Sequence, residues 1–465
     1  MHICRVLTVV LLFASSAFAQ GTSDPFTPIE AAKDVIAVNF TEFATIPDAG
    51  TEAPRLMLLV DEPGTRRLLV NTMRGSIFSV SYDGKTVAEY LDINATSWGI
   101  GVQFQGSERG FQSFAFHPQF GQRGTPGYGK FYTYTDTTNM TPKADFATPG
   151  TTRTHDTVLL EWTAKDAAAA AYDGDAPREL FRAAQPFPNH NGGQVAFNTL
   201  ARQGGADFGL LYVGFADGGS GGDPMNLAQN LGNAFGKILR IDPLGRNSAN
   251  GKYGIPSANP FVADGKDDTL GEIYAYGVRN PQRVSWDSKT GAMYVADIGQ
   301  NIVEEISPVT IGANLGWNKW EGSYTYGARE VGTTNLRGEA GLTYPIVEFD
   351  HTDPLLRRPA VTGVYAYRQA TVPALANKLI FGDNPSGEIF YVDADNLPKG
   401  GQDSIRRILF NDRGTNKTLL QLIKQKNMSQ GKPEAPRADL RLGVGPQGQI
   451  FVLNKRDGVI RAIVP

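Results

Sequence analysis

Cysteine is almost missing from this chain. Its one copy, Cys4, falls within the first nineteen residues. Those residues read as a secretory leader: Arg5 supplies the positive start, Val6 to Phe13 is largely apolar, and Ala17-Phe18-Ala19 is a small-residue cleavage site before Gln20. A mature chain would then hold no cysteine. That excludes disulfides, thiolate metal sites and cysteine nucleophiles. Long apolar runs are missing too. The leader is too short to span a bilayer and no later stretch is longer, so no membrane insertion is expected. Basic runs are also absent, and the formal net charge is −3; neither nucleic acid nor an anionic lipid surface is an expected partner. Extended helical patterns are scarce, the best short candidates being Asp166 to Tyr172 and Lys417 to Lys426.

What the chain does have is turns and short strands. Fifty-three glycines and 28 prolines punctuate it. A β-rich segment, often followed by Gly or Asp-Gly, recurs as RLLVNTMRG (67–75), KFYTYTD (130–136), LLYVGFADGG (210–219), AMYVADIG (292–299), KLIFGDNPSG (378–387) and IFVLNKRDG (450–458). Repeats of this size predict an all-β, six-bladed β-propeller, with one short-stranded sheet per repeat. The expected organisation is a signal peptide over 1–19, an N-terminal extension over 20–34 and the propeller over 35–465. Val459 to Val464 would close the ring against a strand near Val35 to Phe43.

Two loops carry the chemistry. Phe187-Pro188-Asn189-His190-Asn191-Gly192-Gly193 sets an imidazole on a Gly-rich turn before the strand-like QVAFN. Histidine is a competent general base near neutral pH, and paired glycines let a ligand approach the backbone. His117 sits in an apolar setting and reads as structural, whereas His155 and His351 fall in polar loops and read as solvated. The second loop is Arg279-Asn280-Pro281-Gln282, between the strand-like runs Ile273 to Tyr276 and Val284 to Trp286. A guanidinium with two amides suits planar, anionic, carbonyl-rich ligands; capping a turn would use the same residues. Trp317 and Trp320, in the run 316–322, suit stacking against a sugar and equally suit filling a propeller core. Glu304 and Glu305 read as a solvated strand edge.

The stretch GVRNPQRVSWD…MYVADIGQNIVEEI resembles the G-H-R-N-P-Q-G segment of the soluble glucose/sorbosone and aldose sugar dehydrogenases. The resemblance runs from about Glu108 to the C-terminus. It includes ERGFQSFAFHPQF (108–120), HNGGQVAFN (190–198), GKILRIDPLG (236–245), GANLGWNKWEG (312–322), VTGVYAYR (361–368) and DLRLGVGPQGQIFVLNKRDG (439–458). It implies a six-bladed propeller using pyrroloquinoline quinone (PQQ) and Ca²⁺ to oxidise a small-molecule sugar or polyol in the periplasm or outside the cell. It makes His190 the base for the sugar hydroxyl and Arg279 the group that polarises the quinone carbonyl. Asn280 and Gln282 would bind the cofactor, and Glu108 and Asn189 would face the substrate. The loop at Gly299 and Gln300 would offer carbonyls to Ca²⁺, while Glu305 and the Leu315 carbonyl would hold a separate Ca²⁺. Four positions depart from the family pattern: Gln194 replaces an Arg, Val278 a His, and Pro385-Ser386 a cofactor-binding Lys, while Arg437 and Arg441 are out of register with a clamp of two arginines. Two other uses of such a propeller are a non-catalytic carbohydrate- or protein-binding module like the hedgehog-interacting relatives, and a Ca²⁺-dependent lactonase or hydrolase.

Overall fold

The structure is a computed structural model that describes residues 26–465 except 151, 328–329 and 333–335. The expected leader lies outside the described residues. The fold is all-β and propeller-like. A first four-stranded antiparallel sheet contains Leu56–Asp61, Arg67–Thr72, Ser76–Ser81 and Val87–Asp92. A second contains Phe111–Phe116, Lys130–Thr137, His155–Thr163 and Arg178–Gln185. The third uses Val195–Phe197, Leu211–Phe215, Lys237–Ile241 and Ile273–Tyr276. The fourth uses Pro281–Trp286, Met293–Asp297, Val303–Val309 and Val347–Asp350, with a small three-stranded sheet inserted before its last strand.

The remaining strands form one nine-stranded sheet. Val361–Tyr367, Lys378–Asp383, Ile389–Asp393 and Arg406–Asp412 make one half; Arg441–Val444, Ile450–Leu453 and Val459–Val464 lie in the other. Ile36–Thr45 joins them. It pairs in parallel with the first half (Ile36 opposite Ile408) and antiparallel with Val459–Val464 (Thr45 opposite Val459). The expected closure between the two ends of the chain is therefore present. Each recurring segment contains the second strand of its module.

The first strands stand side by side around an axis. Leu56–Asp61 touches Phe111–Phe116, which touches Val195–Phe197; Pro281–Trp286 touches Val361–Tyr367, and Arg441–Val444 returns to both Val361–Tyr367 and Leu56–Asp61. Leu211–Phe215 bridges to Pro281–Trp286. Because both faces of most sheets are covered, strand sequences do not alternate: all of Phe111–Phe116 is buried. The core lies between sheets, as where Tyr212 of the third sheet and Trp286 of the fourth meet edge to face with centroids 5.2 Å apart.

Backbone hydrogen bonds at one end tie segments leaving second strands to segments leading into first strands: Asp217 N to Arg279 O, Ile298 N to Asn280 O, Leu56 N to Asn454 O. This end carries His190 and Arg279. A cavity of about 1040 Å³ occupies the later halves of the first strands, among Phe114, Phe197, Trp286, Tyr365 and Leu442, and includes none of the expected site residues.

Of the two expected helices, one forms, over Leu419–Ser429, with Thr418 and Gln421 making a reciprocal capping box. Residues 166–172 are turns and bends instead. Asp166 Oδ1 accepts the Ala168 N–H, and the carbonyls of Ala167 and Ala169 accept from Arg67, so local side-chain bonds displace a helical ladder there.

Candidate functional site

His190 lies on the loop that leads into the third sheet, in left-handed backbone (φ 56°) and buried. Its N–H donates to Glu108 Oε2 at 2.8 Å. Its Nδ1 is 2.7 Å from Oδ1 of Asp217, just beyond the second strand of the same sheet. Burial opposes charge on Asp217, but the charge and hydrogen bond of His190, the charge of Arg279 and the Gly219 N–H outweigh it and hold the carboxyl below its usual range. An ionised Asp217 makes Nδ1 the protonated nitrogen. In the neutral imidazole, Nε2 then carries the lone pair.

The other Asp217 oxygen reaches the neighbouring module. Oδ2 accepts Trp317 Nε1–H at 2.9 Å, and the Arg279 guanidinium lies 5.6 Å from the Trp317 ring centre. Arg279 is anchored on its own sheet: Nε and Nη2 donate to Gln300 Oε1 at 3.1 and 2.8 Å, and Nη1 to Ile298 O at 2.8 Å. The loop holding Gln300 is wrapped on Glu321 Oε1, which accepts the N–H groups of Gln300, Asn301, Ile302 and Val303. Gly299 is required in this wrap, because a Cβ there would lie 1.6 Å from Val303 O. Asp297 accepts the backbone N–H of both Arg279 (2.8 Å) and Asn280 (2.6 Å). Burial, with Asp217's charge adding, pushes Asp297 up to about 7 despite those bonds and Arg279.

The structure thus brings His190, Glu108, Arg279, Asn280, Gln300 and Trp317 to one end of the ring. Asn280 Oδ1 is buried with no hydrogen-bond partner, an acceptor left for a ligand. Asn189 borders the loop, accepting Ser220 N–H at 2.9 Å. Gln282 points elsewhere, its Oε1 accepting from Arg283 Nη1 at 2.6 Å. Trp320 donates to Glu339 at 2.7 Å and packs on Tyr344. Glu305 is buried and takes the Gly322 N–H at 2.6 Å; burial, with the charges of Asp297, Glu348 and Glu321, drives its pKa far up. Leu315 packs in an apolar cluster with Trp286 and Val309. Among the described residues, no group of three or more His, Cys, Asp or Glu side chains is arranged to hold a metal.

Several expectations need correcting. His155 is buried and bonded to Thr154 and Asn191, not solvated, while His351 is half-buried, its Nε2 2.7 Å from Oε1 of the buried Glu304. Glu304 and Glu305 are interior residues, not a wet edge. Gly193 serves packing: a Cβ there would meet Pro281 O at 2.1 Å. His117 is structural as expected, packed on Phe197, with burial and the charge of Lys130 lowering it to about 4.

Sequence reasoning missed Asp217 and gave no task to the side chains of Asp297 and Glu321. A signal was available, because four of the six repeats place an aspartate at or just beyond the end of the second strand: Asp136, Asp217, Asp297 and Asp383. Asp136, Asp297 and Asp383 each accept a backbone N–H from the segment leading into their own sheet, namely Gly110, Arg279 with Asn280, and Ala360. At the matching place in the third module, Asp217 takes the imidazole of His190 instead.

A family model described as "Glucose / Sorbosone dehydrogenase" matches residues 52–414. The HIPL1 protein of Arabidopsis thaliana is 29% identical over 354 residues, covering 69% of this chain and 49% of that protein. An aldose sugar dehydrogenase of Escherichia coli is 25% identical over 228 residues, 49% of this chain and 52% of that one. Mouse hedgehog-interacting protein is 29% identical over 227 residues, 48% of this chain and 29% of that one. The chain spans about half the length of the first of these relatives. Among solved structures, the PQQ-bound aldose sugar dehydrogenase of Streptomyces coelicolor aligns with TM-score 0.54 and 19% identity, over 91% of this chain and 96% of that one. The soluble aldose sugar dehydrogenase of E. coli, in its apo-form, gives 0.57 and 18%, over 92% and 99%. These structural likenesses concern the fold.

Proposed function

The chain belongs to the glucose/sorbosone dehydrogenase family, and we propose that it is an exported, PQQ- and Ca²⁺-dependent dehydrogenase of aldoses or related polyols. In this reading residues 1–19 are a signal peptide, 20–34 an extension and 35–465 a six-bladed propeller in the periplasm or outside the cell. The nine-stranded sheet counts as two blades, sharing Ile36–Thr45.

One observation carries the reading. Asp217 binds His190 through one oxygen and Trp317, beneath Arg279, through the other. That carboxylate joins a base with a free Nε2 to a fixed guanidinium. His190 Nε2 takes the proton of a sugar hydroxyl, and Asp217 stabilises the imidazolium that results. Arg279 sets positive charge where an oxyanion develops, already fixed by Gln300 and Ile298. The unpartnered Asn280 Oδ1 and the Arg279 guanidinium fit a carbonyl-rich planar cofactor; Gln282, engaged by Arg283, would have to release it to join them. When bound, such a quinone supplies a two-electron acceptor for hydride. Carbonyls of the Gly299–Gln300 loop would serve Ca²⁺, and the buried Glu305 would gain from a second cation beside it.

The test adds PQQ and Ca²⁺ to purified protein and follows quinone absorbance and dye reduction across a sugar panel, with His190→Ala as control. Quinone bound without reduction by any sugar would refute the dehydrogenase reading. A binding-only propeller is the second reading, favoured by the likeness to hedgehog-interacting protein and by a fifth-sheet turn, 383–387, whose own residues include no lysine and where Ser386 caps Asp383. It predicts no quinone uptake and selective retention on immobilised glycans or a protein ligand.

A further inference from the structure

Five cationic side chains converge on one carboxylate at the end of the ring that carries His190. Arg437 Nε donates to Asp439 Oδ1 at 2.5 Å, and Arg456 Nη2 lies 2.5 Å from Oδ2. The charges of Lys455 and Arg441 also act on Asp439, and Asp439 in turn acts on Arg55. No second carboxylate among the described residues pairs with these cations. Lys455, buried, donates only to Met73 Sδ and Ser107 O, at 3.3 and 3.2 Å. Arg441 gives Nη1 to Leu440 O at 2.8 Å, and the buried Nε groups of Arg441 and Arg456 have no partner. Buried positive charge in this excess is costly. Burial lowers Arg441 to about 10, and burial with the neighbouring cations lowers Lys455 well below its usual value.

The cluster adjoins the candidate site. Ser107, which takes the Lys455 ammonium, precedes Glu108, which takes the His190 N–H. Arg55 donates to Phe104 O and Gly106 O in the same loop, at 3.4 and 2.8 Å. Arg437 also reaches Asn384 Oδ1 at 2.7 Å, on the fifth sheet's side. Arg437 and Arg456 are 39% and 34% exposed, so the cluster opens to solvent through them.

We propose that Arg437, Arg441, Lys455 and Arg456 form a clamp for a ligand with two or more carboxylates, replacing the lysine and register-matched arginines that this chain lacks; as applied to PQQ, the clamp rests on the dehydrogenase reading. Guanidinium groups fork onto carboxylates, and a polycarboxylate would neutralise the surplus charge while Asp439 holds the cations apart before binding. Asp439 competes with that ligand.

Calorimetry on the apo-protein tests this with two probes, benzene-1,3,5-tricarboxylate alone and PQQ with excess Ca²⁺, and with pyrophosphate as a competing anion. Arg437→Gln should weaken both by about tenfold, and Arg437→Gln/Arg456→Gln by about a hundredfold, with binding that falls as salt rises. Asp439→Asn should tighten the tricarboxylate, an effect that a merely structural cluster would not produce. Unfolding midpoints check that the exposed arginine variants remain folded. Wild-type protein that binds the tricarboxylate with these variant effects but not PQQ keeps the clamp and removes the PQQ reading. Equal PQQ affinity in wild type and the double variant overturns the clamp and leaves PQQ binding intact. Pyrophosphate bound in preference to tricarboxylate, or no binding of either probe, also overturns it.

Discussion

Replacing Asp217 by Asn changes no volume and removes one charge, so it isolates what the carboxylate does. Asp217 accepts three hydrogen bonds: His190 Nδ1 and Gly219 N–H on Oδ1, and Trp317 Nε1–H on Oδ2. An amide can accept on one side only. With its NH₂ toward His190, the Gly219 N–H is orphaned and Nδ1 must present its lone pair, which moves the proton to Nε2 and disables the base. With its NH₂ toward Trp317, the indole N–H is orphaned and the tautomer survives. Either orientation leaves one buried donor unpaired, at a cost of about 1–3 kcal/mol. Either one also removes the negative charge that stabilises an imidazolium in the transition state. Turnover of a responsive sugar should therefore fall by roughly two to four orders of magnitude, while PQQ affinity stays near wild type, because Asp217 makes no contact reserved for the cofactor. Because its folded pKa is lowered, Asp217 contributes stability above the unfolded value of 3.8 and loses it as acid titrates the folded group. The stability gap between wild type and Asp217→Asn should accordingly close in acid. Stopped-flow dye reduction and urea unfolding at pH 7 and pH 3 measure both effects. Turnover within a factor of three of wild type would refute the role given to this dyad.

Asp297 titrates the other way: its folded pKa of about 7 lies above 3.8, so its contribution is complete in acid and is lost as pH rises through about 7. Urea unfolding should show stability falling over that window, and added Ca²⁺ should flatten the slope if the neighbouring Glu305 holds a cation. Glu321→Ala removes the acceptor of four backbone N–H groups, so limited proteolysis should cut at 299–303 and PQQ should bind more weakly as Arg279 loses Gln300. Deleting residues through Thr45 unpairs both halves of the nine-stranded sheet, and calorimetric unfolding should lose its single cooperative transition. Thr418→Ala should cost about 1 kcal/mol through the lost capping box, read as a shift in urea midpoint.

The architecture was legible because it is written in local chemistry. Each second strand is a short run of β-branched and aromatic residues ending in a polar turn; four such runs are second strands of four-stranded sheets, and Lys378–Asp383 and Ile450–Leu453 lie in the nine-stranded sheet. Closure between Val459–Val464 and an N-terminal strand was legible for the same reason. What escaped was burial. His155 and Glu304 occupy segments that look polar, yet sheets packed on both faces leave little wet surface near the axis. The alanine-rich run at 166–172 misled through helix propensity, which a few side-chain bonds to its backbone overrode.

The site was legible only in half, and the physical reason is that its two halves meet through a residue whose type gives no hint of its task. His190 and Arg279 stand on conspicuous loops. Asp217 follows its second strand as aspartates do in three other repeats, and at Asp136, Asp297 and Asp383 the same position holds backbone N–H groups. That capping service secures the segments leading into the first strands, so it explains why an acid recurs there. Substitution in one module of a histidine side chain for a backbone donor turns the cap into the partner of the His190 imidazole. The ring therefore needs no new element to build its candidate active site; one existing acid changes its donor, and Trp317 from the next module takes the oxygen left over.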